Sequence, residues 1–414
     1  MRLIQTAIGL LLLCSGFGFP STGFAENPDA AAAARANLER FQGMRKERPG
    51  DGILVFYEAM IRISLGQREA AFDLLRSLKG RHLGLIPVRD TGFDDIWDDP
   101  GFQKIRKELA DEEPRTSDAA VAFRLTDPKL VPEGIAFDPG SGAFFLGSIA
   151  QRKIVTRDRT GQVRDFSRPE DKLDCILGLA VDRRHEHLYA VSTNGFESGA
   201  KLERRNAVVE YALKDGRATG RFMAPDALQL NDVTLAADGT IYATDSASGT
   251  LFRRQPGESS LNQFGERGAL RGANGIAVAA DGTLYVTLST GIARVDTKTA
   301  EPVRMPQPDN VVTGGIDGLY WSDGDLFGIQ NLTNPARVIR VVLADQGKRI
   351  SGLTVLQSCH HPDFDEPTTG AMANGVLNVI ANSYVGHYQP DGSIKDADTL
   401  KPTAVLAVPL KPQK

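Results

Sequence analysis

LNDVTLAADGTIYATDS, running from Leu230 to Ser246, reads as a strand, a tight turn and a second strand. Apolar and β-branched residues fill both arms, and between them Asp238-Gly239 supplies the backbone freedom that a hairpin turn needs. The same pattern recurs as EGIAFDPGSGAFFLGS from Glu133, LGLAVDRRHEHLYAVS from Leu177, NGIAVAADGTLYVTLS from Asn274, DGLYWSDGDLFGIQN from Asp317 and TGAMANGVLNVIANS from Thr369. Counting from Asn231 for the quoted unit, successive starts lie 44, 54, 43, 43 and 52 residues apart. Further strand-like runs follow in most units, as at Lys153–Thr156 and Thr250–Arg254. A repeat of this length with four short strands is a propeller blade. Six units predict an all-β, six-bladed β-propeller. No helical pattern separates the strands, which excludes a parallel sheet with helical crossovers.

Residues 26–112 have a different period. Ile53, Phe56, Met60, Ile63, Ala70, Leu74, Leu75 and Leu78 recur at three- and four-residue steps, and Gly66 divides them into a helical hairpin. Asp98-Asp99-Pro100 starts another helix carrying Phe102, Ile105 and Leu109. Ser64 to Leu75 resembles a tetratricopeptide-type hairpin. One such unit is too short for a long concave groove, so it is read as a packing cap on the propeller or as a surface for a protein partner. The polar run Asp111–Asp118 belongs to a linker over 113–122, with the propeller over 123–414.

Residues 1–25 carry Arg2, an apolar run from Ile8 to Leu13 and a small-x-small end at Gly23-Phe24-Ala25. That is the pattern of a secretory signal peptide, and it predicts export to the periplasm or beyond. Its apolar run is too short and interrupted to anchor the chain across a membrane. Cys175 and Cys359 would remain after cleavage, and their spacing leaves a disulfide open. The formal net charge of -4, without a basic run, argues against nucleic acid as a partner.

The residue before the recurrent glycine carries the chemistry. Down the repeats it is Glu133, Leu177, Asn231, Asn274, Asp317 and Thr369. Equivalent positions at the start of the innermost strands converge on a propeller's axis. Asn and Asp commonly cap turns, but one register kept in four blades, with a glutamate among them, points to a shared ligand. Two carboxylates and two amide oxygens form a hard, oxygen-only set suited to Ca²⁺, with Mg²⁺ or Mn²⁺ as alternatives.

The motifs PEGIAFD (Pro132–Asp138), LNDVTLAADGTIYATDS (Leu230–Ser246), ANGIAVAADGTLYV (Ala273–Val286) and GIDGLYW (Gly315–Trp321) resemble the gluconolactonase, senescence-marker-protein (regucalcin) and luciferin-regenerating-enzyme family, and more distantly the paraoxonases. That resemblance implies a catalytic divalent cation held by Glu133, Asn231, Asn274 and Asp317, and hydrolysis of a lactone or ester. Where that family places an arginine for an acidic sugar lactone stands Gln229, so the expected substrate is less polar than a sugar acid. Gly134 stands where paraoxonase-like proteins carry an aspartate for a second cation.

The segment Cys359 to Gly370 (CHHPDFDEPTTG) holds further reactive side chains. His361 or Asp317 is the candidate for activating water, and Glu366 for orienting a histidine or reaching the metal. No Gly-x-Ser-x-Gly elbow is present, which disfavours a serine hydrolase. The competing reading is a non-catalytic propeller in which the metal stabilises a ligand- or protein-binding module.

Overall fold

The computed structural model describes residues 28–89, 91–197, 203–333 and 335–411. The expected signal peptide lies outside the described residues.

Six four-stranded antiparallel sheets make up the larger part. Their innermost strands are β2 (Pro132–Asp138), β6 (Cys175–Asp182), β10 (Leu230–Leu235), β14 (Ile276–Val278), β18 (Ile316–Ser322) and β22 (Gly370–Ala373). Strands run outward in chain order through five blades, ending at β5 (Val163–Asp165), β9 (Ala218–Met223), β13 (Asn262–Phe264), β17 (Pro302–Arg304) and β21 (Arg349–Gln357). The sixth runs from β22 through β23 (Val376–Ile380) and β24 (Ala404–Pro409) to β1 (Ala120–Arg124), which supplies its outer strand. Ala120 pairs with Ala407 and Arg124 with Ala404 of β24, which closes the ring. The propeller therefore begins at Ala120, inside the stretch read as linker. Three alternating residues gave β1 too weak a pattern to be seen without its partner.

Between blades, side chains of the middle strands form the core, as where Phe145 and Ile154 of blade 1 meet Leu188, Ala190 and Val209 of blade 2. Each large apolar side chain buried there contributes about 1.5–3 kcal/mol.

Four of the six innermost strands share one irregularity. Pairing slips between Pro132 and Ile135, Ile176 and Leu179, Leu230 and Val233, and Ile316 and Leu319. Each slip is a bulge spanning the dipeptide that repeats in the sequence, and bulges re-aim side chains. A Cβ on Gly134 would overlap the Leu177 carbonyl oxygen, and one on Gly275 the Asp317 carbonyl oxygen. A Cβ on Gly178 would lie 2.7 Å from the Asp232 Cα. The recurrent glycine is thus required by close approach of the next blade.

The helical part contains α1 (Pro28–Glu47), α2 (Gly52–Ser64), α3 (Arg68–Arg76) and α4 (Pro100–Ala110). Gly66 takes a left-handed φ of 73° between α2 and α3. Asp99 caps α4, its Oδ1 accepting the Phe102 N–H at 2.8 Å. Phe41, Ile53, Phe56, Met60, Leu75, Phe93 and Phe102 pack into one core that also takes Val312 of the propeller. Tyr57 donates to the Ser289 carbonyl at 3.2 Å, and Arg304 pairs with Asp51 at 2.8 Å. Arg337 donates to Gln330 Oε1 at 2.7 Å and to the Leu83 carbonyl at 2.8 Å, and stands 3.8 Å from Glu113. These bonds seat the helices on blades 4 and 5, as expected of a cap. No described helix is long and apolar enough to cross a membrane. Cys175 is buried, Cys359 half-buried, and both are free thiols.

Candidate active site at the propeller axis

The bulges deliver Glu133, Leu177, Asn231 and Asp317 to one cavity. Glu133, Asn231 and Asp317 line a space of about 350 Å³ with Leu177, Gln229, Asn331 and Glu366. Asn274 is buried and does not line it; its side chain is hydrogen-bonded to Asp317.

Local hydrogen bonds orient these groups. Ser246 Oγ donates to the Ala273 carbonyl at 2.6 Å, so it must accept from Asn231 Nδ2 at 2.8 Å. The Asn231 amide nitrogen is thereby committed, and its oxygen is left as the free end. Asn331 Nδ2 donates to Asp317 Oδ2 at 2.6 Å and to the Pro367 carbonyl at 2.7 Å. Its Oδ1 is buried without a partner. Thr368 and Thr369 both donate to the Glu133 carbonyl, tying the last blade to the first.

The electrostatics are those of crowded, buried carboxylates. Glu133 Oε2 is buried with no hydrogen-bond partner. Burial, and then the neighbouring Asp317 and Asp232, hold the Glu133 carboxyl well above the usual range. Burial also raises Asp317, against hydrogen bonds from Asn331 and Asn274. It pushes Asp232 up to about 7 despite N–H donors from Val233 and Ile276. No Lys or Arg forms an ion pair with any of the three among the described residues. Like charges gathered in a low dielectric are costly unless protons or a cation neutralise them. The residues fit a divalent ion, through two carboxylates, amide oxygens and an orphaned buried acceptor. Among the described residues no group of three or more His, Cys, Asp or Glu is placed to hold a metal, so amide oxygens would have to complete the shell.

The loop from Cys359 to Gly370 divides in two. It connects the outer strand β21 to the inner strand β22, so its early residues lie at the rim and its last ones at the axis. Asp365, Glu366, Pro367 and Thr368 line the cavity. His361 does not: its Nδ1 accepts the Asp363 N–H at 3.1 Å, and Asp363 is held by Arg124 of β1 at 2.7 Å. The structure thus places His361, a candidate base in the sequence, outside the lining of this cavity. Glu366 takes a left-handed φ of 60°, and its Oε1 accepts the Gly386 N–H at 2.5 Å. Burial pushes its carboxyl up to about 7.

Leu177, Phe196, Leu332, Ala336 and Val385 give the cavity an apolar wall. The loop after β7 (His187–Thr193) contributes Phe196, and Arg205 at its far end is held by Asp174 at 2.7 Å and Glu197 at 3.2 Å. Sequence reading missed Asn331, which ends the repeat unit at Gln330-Asn331, and missed the strap from Val385 to Asp396, which belongs to no repeat.

No protein-family model matches the chain, and no curated protein does. Among solved structures it is similar to a gluconolactonase from Xanthomonas campestris, at 18% identity over 71% of this chain and 91% of that one, with a TM-score of 0.48. It is similar to the PQQ-bound aldose sugar dehydrogenase of Streptomyces coelicolor at 13% identity, over 71% and 99% of the two chains, with a TM-score of 0.48. Virginiamycin B lyase from Staphylococcus aureus aligns at 15% identity over 64% and 82%, with a TM-score of 0.43. These proteins run different reactions, and similarity at this level does not choose between them.

Proposed function

We propose that this chain is a hydrolase of a small lactone or ester that depends on a divalent cation, calcium suiting the donors best. The observation that carries this reading is the unpartnered, buried Glu133 Oε2 in a site shared with Asp317 and two oriented amides. Glu133, Asn231, Asn274 and Asp317 would hold the ion. Bound there, it would polarise a carbonyl and stabilise the oxyanion. The apolar wall of Leu177, Phe196, Leu332 and Val385 would seat the acyl or alcohol part and exclude bulk water. Gln229 in place of a cation favours a neutral substrate over an anionic sugar acid. Glu366, with its carboxyl near 7, can exchange a proton at neutral pH.

The test uses the purified protein, with calcium binding measured by calorimetry and a panel of lactones and aryl esters assayed with and without metal. Asn274→Ala and Asp317→Ala serve as controls. Cation-dependent turnover lost in both variants is the expected result. Tight calcium binding with no turnover across the panel would favour the binding module, and no calcium binding would sink the axial site itself.

A further inference from the structure

Resting on the hydrolase reading above, we propose that His387 is the proton acceptor of this site, held as the Nδ1–H tautomer with Nε2 as the basic nitrogen. His387 is the one histidine of the chain's six that lines the axial cavity. It shares that cavity with Glu133, Asp317 and Glu366.

The strap carrying His387 is built to fix it. Tyr384 takes a left-handed φ of 65°, followed by a short 3₁₀ turn over Val385–His387. Tyr388 then bridges to Ile394 across a tight turn in which the Gln389 N–H bonds to the Ser393 carbonyl at 2.9 Å. The Lys395 N–H donates to the His387 carbonyl at 2.8 Å. In return, His387 Nδ1 lies 2.9 Å from the Lys395 carbonyl oxygen. A carbonyl oxygen only accepts, so Nδ1 must carry the proton. In the neutral ring the lone pair then belongs to Nε2. Among the described residues nothing is hydrogen-bonded to Nε2, and the Tyr384 ring packs edge-on to the imidazole at 5.6 Å.

The same strap holds the neighbouring acid, since the Gly386 N–H bonds to Glu366. One backbone segment therefore positions both a base and a carboxyl group at the cavity. The other charged groups lining this end are Asp365, Lys395 and Asp396. The remaining histidines are engaged elsewhere, His360 on Ser358 at 2.8 Å and His185 on Asp182 at 2.6 Å.

In the step assigned here, a water O–H bond breaks and its proton goes to Nε2, while the water oxygen forms a bond to the acyl carbon and the C=O π pair moves onto the carbonyl oxygen. The imidazolium keeps its Nδ1–H bond to Lys395. As the tetrahedral intermediate collapses, the oxyanion pair re-forms the C=O bond, the ester C–O bond breaks and Nε2–H returns the proton to the leaving alkoxide. No electron leaves or enters.

Two measurements test the assignment. The first is the ¹⁵N spectrum of histidine-labelled, metal-free protein, with the His387 signals identified by their loss in His387→Gln. Protonated Nδ1 with unprotonated Nε2 is expected at alkaline pH, and the opposite tautomer overturns the proposal. The second is turnover: His387→Gln should lower kcat by about 10²–10⁴-fold with calcium affinity unchanged. Added imidazole should restore part of the rate in His387→Gly, which a merely structural role would not allow. A His387→Gln protein with wild-type kcat overturns the base assignment and leaves the hydrolase reading standing. A wild-type protein without cation-dependent turnover overturns both.

Discussion

The carbonyl oxygen of Leu177 occupies the space where a side chain on Gly134 would begin. This contact joins the first two blades at the bulge that aims Glu133 toward the axis, so packing and site geometry depend on the same atom. Gly134→Ala should cost about 1–3 kcal/mol through forced backbone displacement, read by urea unfolding. Gly43→Ala, in α1 with nothing within 4 Å of the new methyl, should instead stabilise by up to about 1 kcal/mol. Equal effects at the two positions would refute the close-approach argument.

Asn331 bridges Asp317 and the Pro367 carbonyl and leaves its own oxygen unpaired. Asn331→Ala should weaken calcium binding by about 10–100-fold, as loss of an orienting partner does. Calorimetric titration checks this, and unchanged affinity would remove Asn331 from the site.

The Glu366 carboxyl is raised from 4.5 to about 7 in the folded chain, chiefly by burial. Between those values the folded state binds more protons than the unfolded one, so this group makes stability fall as pH rises. Glu366→Gln removes the penalty while keeping an acceptor for the Gly386 N–H. Relative to wild type in chelator, the variant should gain on the order of 3 kcal/mol between pH 4 and 8. Parallel stability curves across that range would contradict the raised carboxyl.

Arg337 and Glu113, at 3% and 2% exposure, form a buried pair between propeller and helical cap. Arg337→Ala leaves Glu113, Gln330 and the Leu83 carbonyl without their donor, and should cost about 3–5 kcal/mol. Early proteolytic cleavage within residues 77–99 should accompany that loss. A variant as stable and as protease-resistant as wild type would show that the cap is held by its apolar contacts alone.

Acidic side chains outnumber basic ones around the cavity, with Asp365, Glu366 and Asp396 beside Lys395 and His387. Neutral esters should therefore be preferred to anionic ones of equal size. Gln229→Arg should raise kcat/KM for an anionic ester by about tenfold relative to its neutral counterpart. An unchanged ratio would mean that position 229 does not read substrate charge.

The blades were legible because they are local: alternation, an Asp-Gly turn and a repeated dipeptide need only neighbouring residues, and they repeat six times. The axial set was legible for the same reason, since one register in equivalent strands must converge. Ring closure was not, because β1 becomes a strand only through β24 at the far end of the chain. Which histidine lines the cavity was likewise decided by chain path. His361 sits early in a connection that starts at the rim, whereas His387 lies on a strap that lines the cavity. Sequence alone determined the propeller, the helical segment before it and the common register that brings Glu133, Asn231 and Asp317 to one cavity, because periodicity encodes strands and equivalent strands share a geometry. Tertiary structure alone decided which loop residues reach the cavity, which amide oxygens are left free, and that Arg337 joins the two parts, because each depends on contacts between segments with no pattern in common.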